Sequence, residues 1–341
     1  MKKFFWVALL TILTLFFGLF LFVFTLAPSL PVDADEIIEE RIITGPSNLI
    51  KGDTGIVKSG DLEIWYEKIE PKDTVKGTIL MIMGLGGDGL EWPLYFIQPF
   101  IDSGYCVIRF DNRSTGHSTW IDNQDDEHLF TLEDMAGDAI AVLDKHKVEK
   151  AHIIGMSMGG MIGQILAYAY PDRVSSLTSI MSSSYIKDPE LPPVRTEMSL
   201  TLVAAGLRYG LTGKERGAMR TTIAVRNRLQ PNLSTERINV LADKALFNER
   251  YRRGFHVNAF RQHNDAIRTS GSRIEKNKNI KVPTLVIHGT EDPLIPVEHG
   301  EKTASIISGA EMLAVEGMGH DISPEFTDSM HKRLFDLFKL Q

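Results

Sequence analysis

The chain has 341 residues, 43% of them hydrophobic, with a formal net charge of -7. It is long enough to bury a large core, and its mild acidity argues against nucleic acid as a partner. The single cysteine excludes an internal disulfide, and no Cys/His cluster has zinc spacing, so neither a metal nor an organic cofactor is expected.

Lys2 and Lys3 precede an uncharged run from Phe4 to Ala27. About 20 apolar residues span a bilayer, whereas a cleaved signal peptide has an apolar core of about 7–15. Residues 1–27 therefore read as a transmembrane signal anchor. No cysteine follows the run, so a lipoprotein signal is excluded. Cleavage near Val32-Asp33-Ala34, releasing a secreted protein, is the alternative. Lysines before the span and Asp33, Asp35, Glu36, Glu39 and Glu40 after it orient the amino end inward. The folded domain is then expected on the extracytoplasmic side of a single-pass membrane protein.

Residues 28–58, with Pro28, Pro31 and Pro46, read as a linker leading to a first strand at Leu62–Lys68. A first core segment is expected over 59–184. Within it, Thr78–Met83 is a strand followed by Gly84-Leu85-Gly86-Gly87. Further on, an apolar run ending in His152-Ile153-Ile154 meets Gly155-Met156-Ser157-Met158-Gly159-Gly160, and a helical run follows to Ala169. A serine between a strand end and a helix start must turn the chain within a few residues. Small residues two before and two after it leave room for the crossing backbone. The pattern predicts Ser157 in a strained αL-type conformation, its hydroxyl at a helix N-terminus where developing negative charge is favoured. An ordinary Gly-rich turn is the plain alternative.

From residue 185 to 280 the strand–helix alternation stops and the sequence turns helical, as in an inserted cap. Over 195–281 Lys and Arg exceed Asp and Glu by 11. Solvated helices account for such an excess, or a face toward anionic headgroups or acidic substrates. Met198, Leu200, Leu202, Val203 and Leu207 belong to an apolar cap helix and are expected in the lid's own core rather than in a substrate wall. A second core segment is expected over 281–341. Pro283–His288 is a buried strand, with Gly289-Thr290-Glu291-Asp292-Pro293 after it. Asp292 is favoured over Glu291 as the acid of the site, because Pro293 fixes the local turn. Glu311–Val315 is a short strand before Glu316-Gly317-Met318-Gly319-His320. The last helix starts near Ser323-Pro324 and carries Met330, Leu334, Phe335 and Phe338 at helical spacing.

A nucleophilic serine needs a base, a group orienting that base, and donors for an oxyanion. Ser157, Asp292 and His320 supply the first three in chain order at successive strand ends, and the Gly84–Gly87 loop is where an oxyanion amide is expected. His117, His152 and His288 are expected to be structural.

These features resemble the α/β-hydrolase superfamily over roughly residues 60–340. Asp111-Asn112-Arg113-Ser114-Thr115-Gly116-His117-Ser118 is similar to the family's D-x-R-G-x-G-x-S loop, with Ser114 in place of the first glycine. Gly84-Leu85-Gly86-Gly87 resembles its H-G-x-x-G segment, with Met83 where histidine is common. The resemblance implies an α/β fold: a mostly parallel central sheet, flanking helices and a helical cap. It also implies an oxyanion hole made by the N–H groups of Leu85 and Met158. Gly-Leu-Gly-Gly, Trp92-Pro93 and the Asp-Asn-Arg loop look most like bacterial methylesterases and enol-lactonases. A serine at the elbow, where dehalogenases and epoxide hydrolases carry aspartate, implies acyl transfer. The expectation is a serine hydrolase of a carboxylic ester, lipid or lactone included, acting on a small-molecule ester with Ser157, Asp292 and His320 as its triad. An acyltransferase, a cofactor-free perhydrolase or a C–C hydrolase could use the same triad. A non-catalytic binding scaffold is the reading from another class.

Overall fold

The computed structural model describes residues 2–122, 129–195 and 198–340. Eight strands, β1 (Asp53–Ser59), β2 (Leu62–Ile69), β3 (Gly77–Ile82), β4 (Tyr105–Phe110), β5 (Ala151–Met156), β6 (Val174–Ile180), β7 (Thr284–Gly289) and β8 (Glu311–Val315), form one sheet. Their order is β1-β2-β4-β3-β5-β6-β7-β8. The β1–β2 and β2–β4 pairs are antiparallel and the others parallel. Strands such as β5 and β7, buried along their whole length, are the continuous apolar runs that a sheet covered on both faces requires. This is the mostly parallel α/β architecture expected above, with β1 as an additional hairpin strand.

Helices α1 (Lys2–Leu26) and α2 (Ala34–Thr44) precede the sheet, and α3 (Leu94–Asp102), α4 (Leu132–Lys145) and α5 (Met158–Ala169) lie within it. Then come α6 (Met198–Tyr209), α7 (Lys214–Leu229), α8 (Thr235–Tyr251), α9 (Val257–Ser270) and α10 (Ile274–Asn277) between β6 and β7. Finally α11 (Glu298–Ile306) and α12 (Thr327–Phe338) close the chain. Alternation along β3 splits the core. Leu80 and Ile82 join Met135, Ala139 and Ile162 of α4 and α5 on one face. Ile79 and Met81 join Phe96 and Phe100 of α3, and Leu334 of α12, on the other. All parallel strands end at the same edge, so the loops after β5, β7 and β8 meet there.

Residues 28–58, expected as a linker, instead contain α2 and β1. Pro31 and Pro46 bracket the helix rather than break it, and Gly45 at φ +82° ends it. Ile37 and Ile38 of α2 are buried with Met219 and Ile223 of α7 and Ile238 and Leu241 of α8. Ion pairs Arg216–Glu39 (2.6 Å), Arg220–Asp35 (2.9 Å) and Arg41–Asp243 (2.8 Å) edge that contact. Helix α1 is long and apolar enough to cross a membrane, with mean hydropathy 2.6 over Lys3–Val23.

The cap's positive charge is largely matched within the protein, which argues against the second of the two readings, a basic face turned toward anionic headgroups or acidic substrates. Arg226 meets Glu91 at 2.7 Å, Arg250 meets Glu215 at 2.8 Å, and Lys244 and Arg252 contact Glu91 and Asp111. Arg237 holds Asp321 with two bonds of 2.7 and 2.6 Å, both side chains buried. Removing one partner of a buried pair strands the other's charge and costs about 3–5 kcal/mol. Arg237→Leu should therefore lower unfolding free energy in urea by about that much. A loss below about 1 kcal/mol would mean that the pair is not a tether.

Candidate active site

Ser157 stands between β5 and α5 with φ 55° and ψ -119°. Its φ is positive as the pattern predicts, but ψ lies outside the αL region, so the turn is more strained than an αL residue. Surrounding backbone leaves little choice. The Ser157 N–H donates to Ile180 O at 2.8 Å, and the Ser182 hydroxyl donates to Ser157 O at 2.7 Å. A Cβ on Gly159 would lie 2.0 Å from Ile82 O, and one on Gly155 would lie 2.2 Å from Gly159 O. Both glycines are there because the crossing chain occupies the space of any side chain.

Asp292 follows β7, where β7 delivers it to the edge of the sheet. Its Oδ1 accepts the N–H groups of Leu294 and Ile295 at 2.8 Å each, which locks the turn before Pro293 can be displaced. Its Oδ2 lies 2.6 Å from His320 Nδ1. Burial alone would raise the Asp292 carboxyl, but His320, and His288 behind it, hold its pKa well below the usual carboxylate range. The carboxylate is thus anionic, so His320 Nδ1–H is the donor in this contact, and Nε2 has no hydrogen-bond partner among the described residues. His288 Nε2 lies 2.9 Å from Ile295 O, inside the acid loop, and 3.4 Å from Asp292 Oδ2. Glu291 is exposed and makes no contact with His320 among the described residues.

His320 is held from the cap side as well. Its N–H donates to Leu229 O at 2.9 Å, and the Gly319 N–H donates to Gln230 Oε1. Arg237 binds Asp321 immediately after it. Ser157 and His320 line one cavity of about 890 Å³ beneath the cap, walled also by Leu85, Leu202 and Leu294.

The Gly84–Gly87 loop forms another part of that wall. Met158 is the first residue of α5, where an N–H has no intrahelical acceptor. Two residues brace the Leu85 side, Asn112 of the Asp-Asn-Arg loop and His263, which the sequence does not single out. Asn112 Nδ2 donates to Met83 O at 2.9 Å. The Gly86 N–H donates to Nδ1 of His263 in α9 at 3.0 Å, while His263 Nε2 lies 2.8 Å from Arg113 O. This pattern requires neutral His263 with the proton on Nε2, and burial pushes its pKa down to about 4. No local signal singles out one histidine among ten; only the partners do so.

A sequence model of the alpha/beta hydrolase fold family matches residues 77–327. The chain belongs to that family. It is 28% identical over 278 residues to the rhodomycin D methylesterase DnrP of Streptomyces peucetius, covering 78% of this chain and 92% of that one. It is 26% identical to a 2-hydroxy-6-oxo-6-phenylhexa-2,4-dienoate hydrolase of Comamonas testosteroni, covering 76% and 87%. The fold is also shared with a bacterial membrane phospholipase A, at a TM-score of 0.60 and 20% identity, over 99% of both chains.

Two outcomes follow from this geometry. Gly159→Ala should cost the full range of an overpacked core, about 3 kcal/mol or more, read as a drop in urea midpoint, because backbone rather than a side chain must yield. Wild-type stability at Gly159→Ala would show that Ile82 moves freely. For His263, the folded pKa is about 4 against 6.5 unfolded, so the unfolded chain binds more protons between those values. Its contribution is complete above pH 6.5 and is lost as pH falls toward 4. The urea midpoint of the native protein should fall more steeply over that window than that of His263→Gln, which keeps a donor and an acceptor without titrating. Equal slopes would contradict the neutral assignment.

Proposed function

We propose that the protein is a serine hydrolase that cleaves a carboxylic ester through an acyl-enzyme intermediate. The observation that carries this reading is the Asp292–His320 pair at 2.6 Å opening on the same cavity as the strained Ser157. In this reading Ser157 Oγ attacks the ester carbonyl carbon while His320 Nε2 takes its proton. The tetrahedral oxyanion is bound by the N–H groups of Leu85 and Met158, each contributing about 3 kcal/mol to the barrier reduction. His320 then protonates the leaving alcohol oxygen as the C–O bond breaks. Water, deprotonated by His320, attacks the acyl-enzyme and releases the acid and Ser157. Asp292 keeps the imidazole in the required tautomer throughout and stabilises its cationic form.

A lipid or lactone ester is the substrate class this reading favours. The cavity is large for a short ester, and the methylesterase relative acts, by its name, on a methyl ester. The shared fold with a membrane phospholipase A includes the region of α1, which supports reading α1 as a single-pass anchor with the hydrolase domain outside the cytoplasm. The Comamonas relative favours one second reading, C–C bond hydrolysis with the same three side chains. Analysis of products from an ester and from a vinylogous 1,5-diketone separates the two.

The test is hydrolysis of p-nitrophenyl acetate, butyrate and laurate by the full chain. Ser157→Ala should lower kcat by roughly 10⁴-fold or more, and Asp292→Asn by about 10⁴-fold. Activity within about tenfold of the native enzyme in Ser157→Ala would remove the serine mechanism.

A further inference from the structure

The cap helix α6 departs from the expectation that its apolar residues form lid core. Leu200, Val203 and Leu207 are 48, 55 and 45% exposed, and Leu211 just beyond the helix is 93% exposed. The side chain of Met198 lies outside the described residues. Steps of three, four and four place these residues on one stripe. Ala205 and Tyr209 on the opposite side are buried, and the stripe is bounded by the buried Ala204 beside Leu200. Leu202 of the same helix lines the cavity, as do Gly210 and Lys214 just after it. Helix α6 therefore separates the cavity from an exposed apolar stripe.

The stripe has a fixed relation to α1. The two helices pack together. The end of α6 is bonded to the end of α1, with Tyr209 OH donating to Pro28 O at 2.8 Å and Arg208 Nη1 donating to Ala27 O at 3.2 Å. Arg208 also stacks over the Tyr209 ring, 5.2 Å from its centroid. An arginine and a tyrosine at the end of an apolar span suit the membrane–water boundary. At 1.5 Å per residue, Leu207, Val203 and Leu200 lie within about 14 Å of that point along α6. An amphipathic helix beside a span buries its apolar face about 5–10 Å into the headgroup and acyl boundary.

We propose that the outer face of α6 is seated in the lipid bilayer next to α1, and that an acyl lipid ester passes from the bilayer over the α6–α7 rim into the cavity. This rests on the reading of α1 as a membrane anchor and of the site as an ester hydrolase. The occupant is a bilayer because the helix that carries the stripe packs on α1, whose apolar side chains are exposed along its length. The cap's cations, which a soluble anionic partner would need, are mostly paired internally.

The test uses the full chain in lipid nanodiscs, with a fluorescent probe on a cysteine introduced at Val203, at Leu13 in α1, or at Asp61 on the β1–β2 turn. The native Cys106 is buried and does not compete. Lipids brominated on the acyl chain should quench the probes at Val203→Cys and Leu13→Cys and leave that at Asp61→Cys unchanged. Quenching at Leu13→Cys without quenching at Val203→Cys overturns the docking and leaves the anchor standing. No quenching at either position overturns the anchor and the docking with it. Energy transfer between Val203→Cys probes on two chains, without lipid quenching, assigns the stripe to a second copy and also overturns the proposal. In a second arm, Val203→Asp combined with Leu207→Asp should lower turnover of a diacyl ester in vesicles by roughly tenfold or more. Turnover of soluble p-nitrophenyl butyrate should stay within about twofold, which also shows that the variant folds. Equal loss on both esters would contradict entry from the membrane.

Discussion

Everything at the site depends on one backbone constraint, the left-handed φ of Ser157. A side chain at that φ is strained, and the strain persists because Ile180, Ser182 and the Ile82 carbonyl leave the chain no other course. The consequence is geometric. The serine hydroxyl is raised off the sheet into the cavity, and the first turn of α5 presents Met158 N–H beside it. A methyl group on Gly155 would keep β5 and α5 too far apart to hold the turn, and one on Gly159 would push α5 off the end of β3.

The cap is more than a cover over this edge. Its helices contribute the Leu229 carbonyl and the Gln230 amide that hold the His320 loop, the Arg237 guanidinium on Asp321, and His263 against the Gly86 amide. Both halves of the candidate site are therefore braced by the same insertion. The α2 helix in turn packs on α7 and α8, so the chain emerging from α1 supports the cap rather than trailing from it. This is a continuous path of packing from the apolar N-terminal helix to the histidine loop.

The sheet and the site differ in how much of them the sequence carries. The buried strands are legible because a strand covered on both faces is apolar on successive residues, as in Leu285–Ile287. Ser157 is legible because glycine at 155 and 159 answers a local steric demand. Asp292 and His320 stand at strand ends that local pattern finds, but their 2.6 Å contact is a tertiary fact. Prolines at 28, 31 and 46 suggest a linker, yet proline marks the ends of helices as readily as loops, and α2 lies between two of them. The excess of cap cations shows composition only. Their partners, Glu39, Glu91, Asp111 and Asp321, are scattered across the chain and carry no local mark. The α6 stripe misleads for a related reason, since helical periodicity reveals an apolar face without saying what covers it.

In the proposed mechanism Ser157 carries the acyl group. Rapid mixing of the full chain with a p-nitrophenyl ester, acid quenching and peptide mass spectrometry tests it directly. An acyl mass is expected on the peptide containing Ser157, absent in Ser157→Ala and strongly reduced in His320→Ala, which lacks the base that forms it. Turnover with no adduct, or an adduct on another residue, would contradict it.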